Sequence, residues 1–211
     1  MVLLQYAFVA VLLGVLVAAV GTFVVMGLAK VRRTRRLARA AHRHGRRFFP
    51  DDPYDVPRRY GDFALISSGH SPRANNVTDG RLGGRAVRTF DFRCELGHGT
   101  RRTTRHYNIM TADVQGPAEP VLMWPDGDAD IAPLAARDND GRVAGWSFRG
   151  SRRLAGALAG AWAGGRGEEP CMEVRGSVLM VAAPVGRSAG RYPVSFEDVE
   201  PLLAAIRGAV S

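Results

Sequence analysis

The chain has 211 residues, 29 Lys plus Arg against 20 Asp plus Glu, and a formal net charge of +9. The excess has one source: nine basic residues lie in 30–47, no acidic residue precedes Asp51, and residues 48–211 hold 20 basic and 20 acidic groups. A folded part with no excess charge excludes a general nucleic-acid-binding domain, and two cysteines, Cys94 and Cys171, exclude a disulfide framework.

Residues 1–29 carry no charged side chain and are rich in Val, Leu, Ala and Phe. About 20 apolar residues in helix cross a hydrocarbon core of about 30 Å, so this run is expected to span a bilayer once. A cleaved signal peptide would need a basic start and a shorter apolar core. Here the basic residues follow the run instead. Ala7, Gly14 and Gly21 recur every seven residues. Such a small-residue face lets two helix backbones approach, and it is the candidate surface for homodimer formation through the span.

Residues 30–49 continue as a basic juxtamembrane helix carrying Lys30, Arg32, Arg33, Arg35, Arg36, Arg39, Arg43, Arg46 and Arg47, with a thin apolar patch at Leu37, Ala40 and Ala41. Basic residues near a span stay on the cytoplasmic side. The reading is therefore a plasma-membrane protein with its N-terminus outside and its C-terminal domain cytoplasmic. The eight arginines from Arg32 to Arg47 are the candidate contacts to anionic headgroups, each contributing about 1 kcal/mol close to a charged surface. A cytoplasmic domain would keep both thiols reduced. An exported domain, the alternative topology, would let Cys94 pair with Cys171.

Residues 50–62, with Pro50, Pro53 and Pro57 among Asp51, Asp52 and Asp55, read as a turn-rich linker. Residues 63–211 read as one domain. Phe63 to Ile66 is a short strand or helical turn, and Ser67 to Gly84 is mostly loop. Ala86 to Leu96 alternates, with Phe90, Phe92, Cys94 and Leu96 on one side, which predicts a half-buried strand. After a turn at Gly97–Gly99, Arg101 to Val114 returns as its partner. Either Tyr107 and Ile109 or Met110, Ala112 and Val114 face inward there, an ambiguity that suggests a bulge.

Val121–Trp124 and Ala144–Phe148 are further strands, and Leu154, Leu158 and Trp162 fall on one face of a short helix. Met172–Val174 and Val178–Val185 look like a hairpin around Arg175-Gly176. Ser195 opens a last helix with Val199, Leu202, Leu203, Ile206 and Val210 on its apolar face and a kink or a later start at Pro201. Strands followed by a helix make the fold class α+β, with an antiparallel sheet.

No motif carries catalysis. Asp126, Asp128 and Asp130 open like a calcium loop, but positions six and twelve are Ile131 and Arg137, where Gly and Glu are required. Cys94 and His98, with His70, His106 or Cys171, lack the second close pair of a structural zinc site. Gly69-His70-Ser71 is not a nucleophile elbow, and Gly80-Arg81-Leu82-Gly83-Gly84 lacks the lysine and hydroxyl of a phosphate loop. No catalytic, cofactor-binding or metal site is therefore assigned. A pocket near His70, His98 and His106 is the place to look if the protein is an anchored enzyme. Arg101, Arg102 and Arg105 surround Thr103 and Thr104, a pattern that can guide a kinase or simply coat a solvated strand.

From Phe63 onward the order of pieces resembles a group of uncharacterised actinobacterial proteins with one N-terminal membrane segment and a C-terminal domain of unknown function. The resembling stretches are GRLGGRAVRTFDF (80–92) with the Arg/Thr-rich return strand, EVRGSVLMV (173–181) and FEDVEPLLAAI (196–206). The resemblance implies no catalysis, cofactor or ligand. It leaves the expectation of a membrane-anchored interaction module whose partners are the lipid bilayer and an unidentified protein.

Overall fold

A computed structural model describes residues 2–97, 99–126, 138–162, 169–185 and 196–210. α1 (Val2–Arg43) is one unbroken helix, long and apolar enough to cross a bilayer. Leu12, Val15, Phe23 and Val25 are exposed along it, as a lipid-facing helix requires. The character changes near Val31. Leu37 and Ala41 are buried, because the last turns of α1 pack on the sheet.

Seven strands among the described residues make one antiparallel sheet: β1 (Arg47–Phe49), β2 (His70–Leu82), β3 (Arg85–Leu96), β4 (Thr103–Pro125), β5 (Gly141–Val143), β6 (Trp146–Gly150) and β7 (Cys171–Pro184). The helices α2 (Val56–Arg59), α3 (Ala64–Ser67), α4 (Arg152–Trp162) and α5 (Phe196–Val210) complete the α+β fold. β4 organises the sheet. One flank pairs first with β3 and then with β6, and the other pairs with β7 over most of its length.

The ambiguity in β4 has a simple origin. Both candidate sets are buried, because the sheet is covered on both faces. Met110, Ala112 and Val114 join Leu154, Leu158, Leu202 and Ile206 under α4 and α5. Tyr107 and Ile109 join Val56, Tyr60, Phe63, Phe90 and Phe92 under α2 and α3. The register between β3 and β4 is continuous from Val87↔Ala112 to Leu96↔Thr103, so no bulge lies there. The irregularity comes later, where β4 bends at Gln115 (φ 56°) and Gly116 (φ 126°) opposite β7.

Three expectations are corrected. Residues 70–82 are a strand rather than loop. Register shifts between His70 and Arg73 and between Asn75 and Thr78 erase the alternation that would reveal it. Cys171–Pro184 is one strand rather than a hairpin, since both halves pair with β4 and Gly176 (φ 58°) marks a bulge in it. The proline-rich 50–62 segment is more than a connector. Val56 is fully buried, Tyr60 stacks on Phe90 at 6.2 Å and meets Phe63 edge-on at 5.8 Å, and the Asp52 carboxylate accepts the Val56 N–H at 2.7 Å. α5 starts at Phe196, ahead of Pro201, which lies inside it. Ser195 falls outside the described residues.

Candidate functional site

The lead feature is the place where α1 meets the sheet. Arg33 donates to both carboxylate oxygens of Asp91, from Nη2 at 2.8 Å and Nε at 3.2 Å. Asn76 Nδ2 donates to Asp91 at 2.8 Å and Asn108 Nδ2 at 3.4 Å, while Thr34 Oγ1 donates to Asn76 Oδ1 at 3.1 Å. Asp91 thus gathers donors from α1, β2 and β4. Strict alternation along β3 sets it on the same face as Val87, opposite Phe90 and Phe92. The pair is four-fifths buried on both sides. A bidentate guanidinium–carboxylate contact with two further donors fixes direction as well as distance.

A second row follows where the chain turns back from α1 into β1. Arg47, Asp79 and Arg88 lie side by side on β1, β2 and β3. Asp79 takes hydrogen bonds from Arg47 and, at 2.8 Å, from Arg88. Burial by itself pushes the Asp79 carboxyl up, but the two guanidiniums outweigh it and hold the group below the usual carboxylate range. Asp79 in turn raises Arg47. Arg88 also lies over the Tyr54 ring at 4.0 Å and donates to the Tyr60 hydroxyl at 3.1 Å. Arg46 lays its stem across Gly80, where an added Cβ would meet Arg46 Cγ at 2.7 Å.

The eight candidate lipid arginines are therefore unequal. Arg33 and Arg47 are engaged by Asp91 and Asp79, and Arg46 is part-buried against β2. Arg32, Arg35, Arg36, Arg39 and Arg43 are exposed on α1. Gly14 and Gly21 lie open on the apolar part of α1, with nothing within 4 Å of an added Cβ. Ala7 belongs to the same helix, but its side chain is outside the described residues. Sequence reasoning missed Asp91, Asn76 and Asn108. Asp91 reads as an ordinary outward residue of an alternating strand, and only α1 lying over it shows otherwise.

The other candidates separate in space. His70 and His106 are exposed, and His98 is outside the described residues. Cys94 and Cys171 are buried free thiols in different clusters. Burial pushes both thiols up, Cys171 strongly, with Glu173 adding to it, while Arg105 partly offsets the rise at Cys94. Among the described residues, no three His, Cys, Asp or Glu side chains are grouped to hold a metal ion. Asp126 bonds Ser147 Oγ at 2.5 Å, while Asp128 and Asp130 lie outside the described residues. A cavity of about 420 Å³ lies between the β4 bend and α5, lined by Val114 to Ala118, Ile206 and Arg207. It offers one ionisable side chain and no acid–base pair.

Comparison with known proteins bears on the fold alone. No family model matches the chain, and no curated protein does. The crystal structure of the mycobacterial trehalose monomycolate transport factor A, TtfA, superposes with a TM-score of 0.54. The likeness covers 84% of this chain and 94% of that one, at 16% identity. The two share an architecture across nearly the whole of the solved chain, and at that identity the likeness is one of fold.

Proposed function

We propose that this is a single-pass membrane protein whose α+β domain is held on the cytoplasmic side as a non-catalytic interaction module. The observation that carries the reading is the continuity of α1. A charge-free helix long enough to cross a bilayer runs without a break into turns that dock on the sheet through Arg33 and Asp91. A domain joined to its anchor by a docked helix has a set distance and direction from the bilayer, which suits presentation of a surface to a partner at the membrane. The exposed arginines of α1 support the orientation, since they resist translocation, and they supply contacts to anionic headgroups. Gly14 and Gly21 offer a face for pairing of two copies.

The likeness to a transport factor favours a second, narrower reading: the domain serves as an accessory to a transport assembly in the membrane. Reporter fusions test the topology. Alkaline phosphatase joined after Val210 is expected to be inactive and a fluorescent reporter at the same point active. Protease added to intact cells is expected to leave residues 48–211 whole. An active phosphatase fusion would overturn the orientation.

A further inference from the structure

α1 meets the sheet in a defined sense. Arg33 and Thr34 reach Asp91 and Asn76, whereas Arg46 lies over Gly80 and Arg47 pairs with Asp79. The helix therefore runs beside β2 in the direction from Asn76 to Gly80. Its apolar part projects past the other end of β2, the end that holds His70 and Arg73. Strand pairing brings Arg93 and Leu96 of β3 and Thr103 and His106 of β4 to that same end. Arg33 lies about 6 Å along the helix from Ala29, while Leu96 lies about 17 Å along the strand from Asp91. With the helix taken along the strands, the turn between β3 and β4 thus reaches the level of the last apolar residues of α1.

This end is strongly basic. Arg73 stands opposite Arg93, and Arg93 opposite His106, in direct register across three strands. Arg101 and Arg102 are exposed in the turn, where Arg102 pairs with Glu95, and Arg105 follows on β4. Residues 70–73 and 93–106 hold five arginines against one glutamate, whereas the rest of 48–211 holds fifteen basic against nineteen acidic groups. A domain of zero net charge thus has a net positive end beside its own anchor. Like charges directly opposite each other destabilise a sheet, and an anion lying over them removes that cost.

We propose that Arg73, Arg93 and Arg101, with Arg102 at the rim, form a second platform for the phosphates of anionic lipid headgroups, borne by the domain and separate from the arginines of α1. The proposal rests on the membrane-anchored reading above. Guanidinium forks match phosphate oxygens in pairs, and two points of contact would fix the tilt of the docked helix and sheet against the bilayer.

The test uses the full chain in vesicles. A single fluorophore is placed through Thr103→Cys, in the basic end, or Ser177→Cys, exposed beside the 113–118 bend at the far end; native Cys94 and Cys171 are buried. Vesicles of phosphatidylcholine alone, or with about 30 mol% phosphatidylglycerol, carry a lipid with a nitroxide headgroup as quencher. The label at 103 is expected to be quenched at least about twofold more than the label at 177, with a larger difference in the anionic vesicles. Joint replacement R73Q/R93Q/R101Q is expected to remove the anionic-lipid dependence while circular dichroism shows the fold retained. Equal quenching at both positions, or a lipid dependence that survives the triple replacement, would overturn the platform and leave the anchor standing. A chain that fails to float with the vesicles would overturn the anchored reading and the platform with it.

Discussion

Asp91 shows how much one carboxylate can organise. It accepts from Arg33, Asn76 and Asn108, and Asn108 is fully buried. Asp91→Ala would strand a largely buried guanidinium and two amides, a loss of about 2–3 kcal/mol. Arg33→Gln is expected to lose about 1–2 kcal/mol, and the double variant less than the sum, because both remove one contact. Thermal unfolding of the detergent-solubilised chain measures this cycle, and strict additivity would show that the pair is not coupled. Glu173 makes a prediction of opposite sign. Its carboxylate accepts the Ala64 N–H at 2.7 Å, and Arg175 lies at 3.3 Å. Burial nevertheless raises its pKa, against the lowering by Ala64 and Arg175. A group whose folded pKa is raised binds more protons folded than unfolded, so its contribution is complete below the unfolded value and fades as pH rises through the folded one. Glu173→Gln keeps an acceptor for Ala64 and removes the charge. Its melting temperature relative to the parent chain is expected to rise between pH 4 and pH 7; a difference that shrinks over that range would contradict the assignment.

At the scale of elements, the junction of β6 with α4 is tightly specified. Gly150 has φ +98°, and a Cβ added there would meet the Pro120 oxygen at 2.2 Å. The next residue, Ser151, donates its N–H to that same oxygen, and its hydroxyl accepts the Leu154 N–H at the start of α4. Gly150→Ala would force the strand ends apart and strain the backbone, a cost of about 2–3 kcal/mol or more. An unchanged denaturation midpoint would show that the junction yields. The same scale explains which elements were legible. β3 carries a clean period because polar Thr89, Asp91, Arg93 and Glu95 alternate with apolar Phe90, Phe92, Cys94 and Leu96, and α4 and α5 because each buries one stripe against a constant neighbour. β2 and β7 were obscured by their bulges, which break the period of two and place Gly, Asn or Ser where a turn is expected. β4 was obscured by burial on both faces, which removes polar residues from the pattern altogether.

At the scale of the molecule, the apolar run and the domain share a helix, and the sheet buries one end of α1 while the apolar end stays exposed. Chain order alone suggested a turn-rich linker at the prolines of 50–62. The structure instead has the basic turns, β1 and α2 all packed on the sheet. What the sequence by itself determined follows from composition and local period: the long apolar helix, the basic segment behind it, the α+β class and the apolar faces of the longer helices. Solvation acts on each residue according to its own chemistry, so those features can be read without knowing any neighbour. Only the tertiary structure decided the meeting of Arg33 with Asp91, the pairing of β7 along β4 and the gathering of arginines from β2, β3 and β4 at one end. Those depend on contacts between residues far apart in the chain, and the charge or alternation of a single segment carries no record of what will be packed across from it.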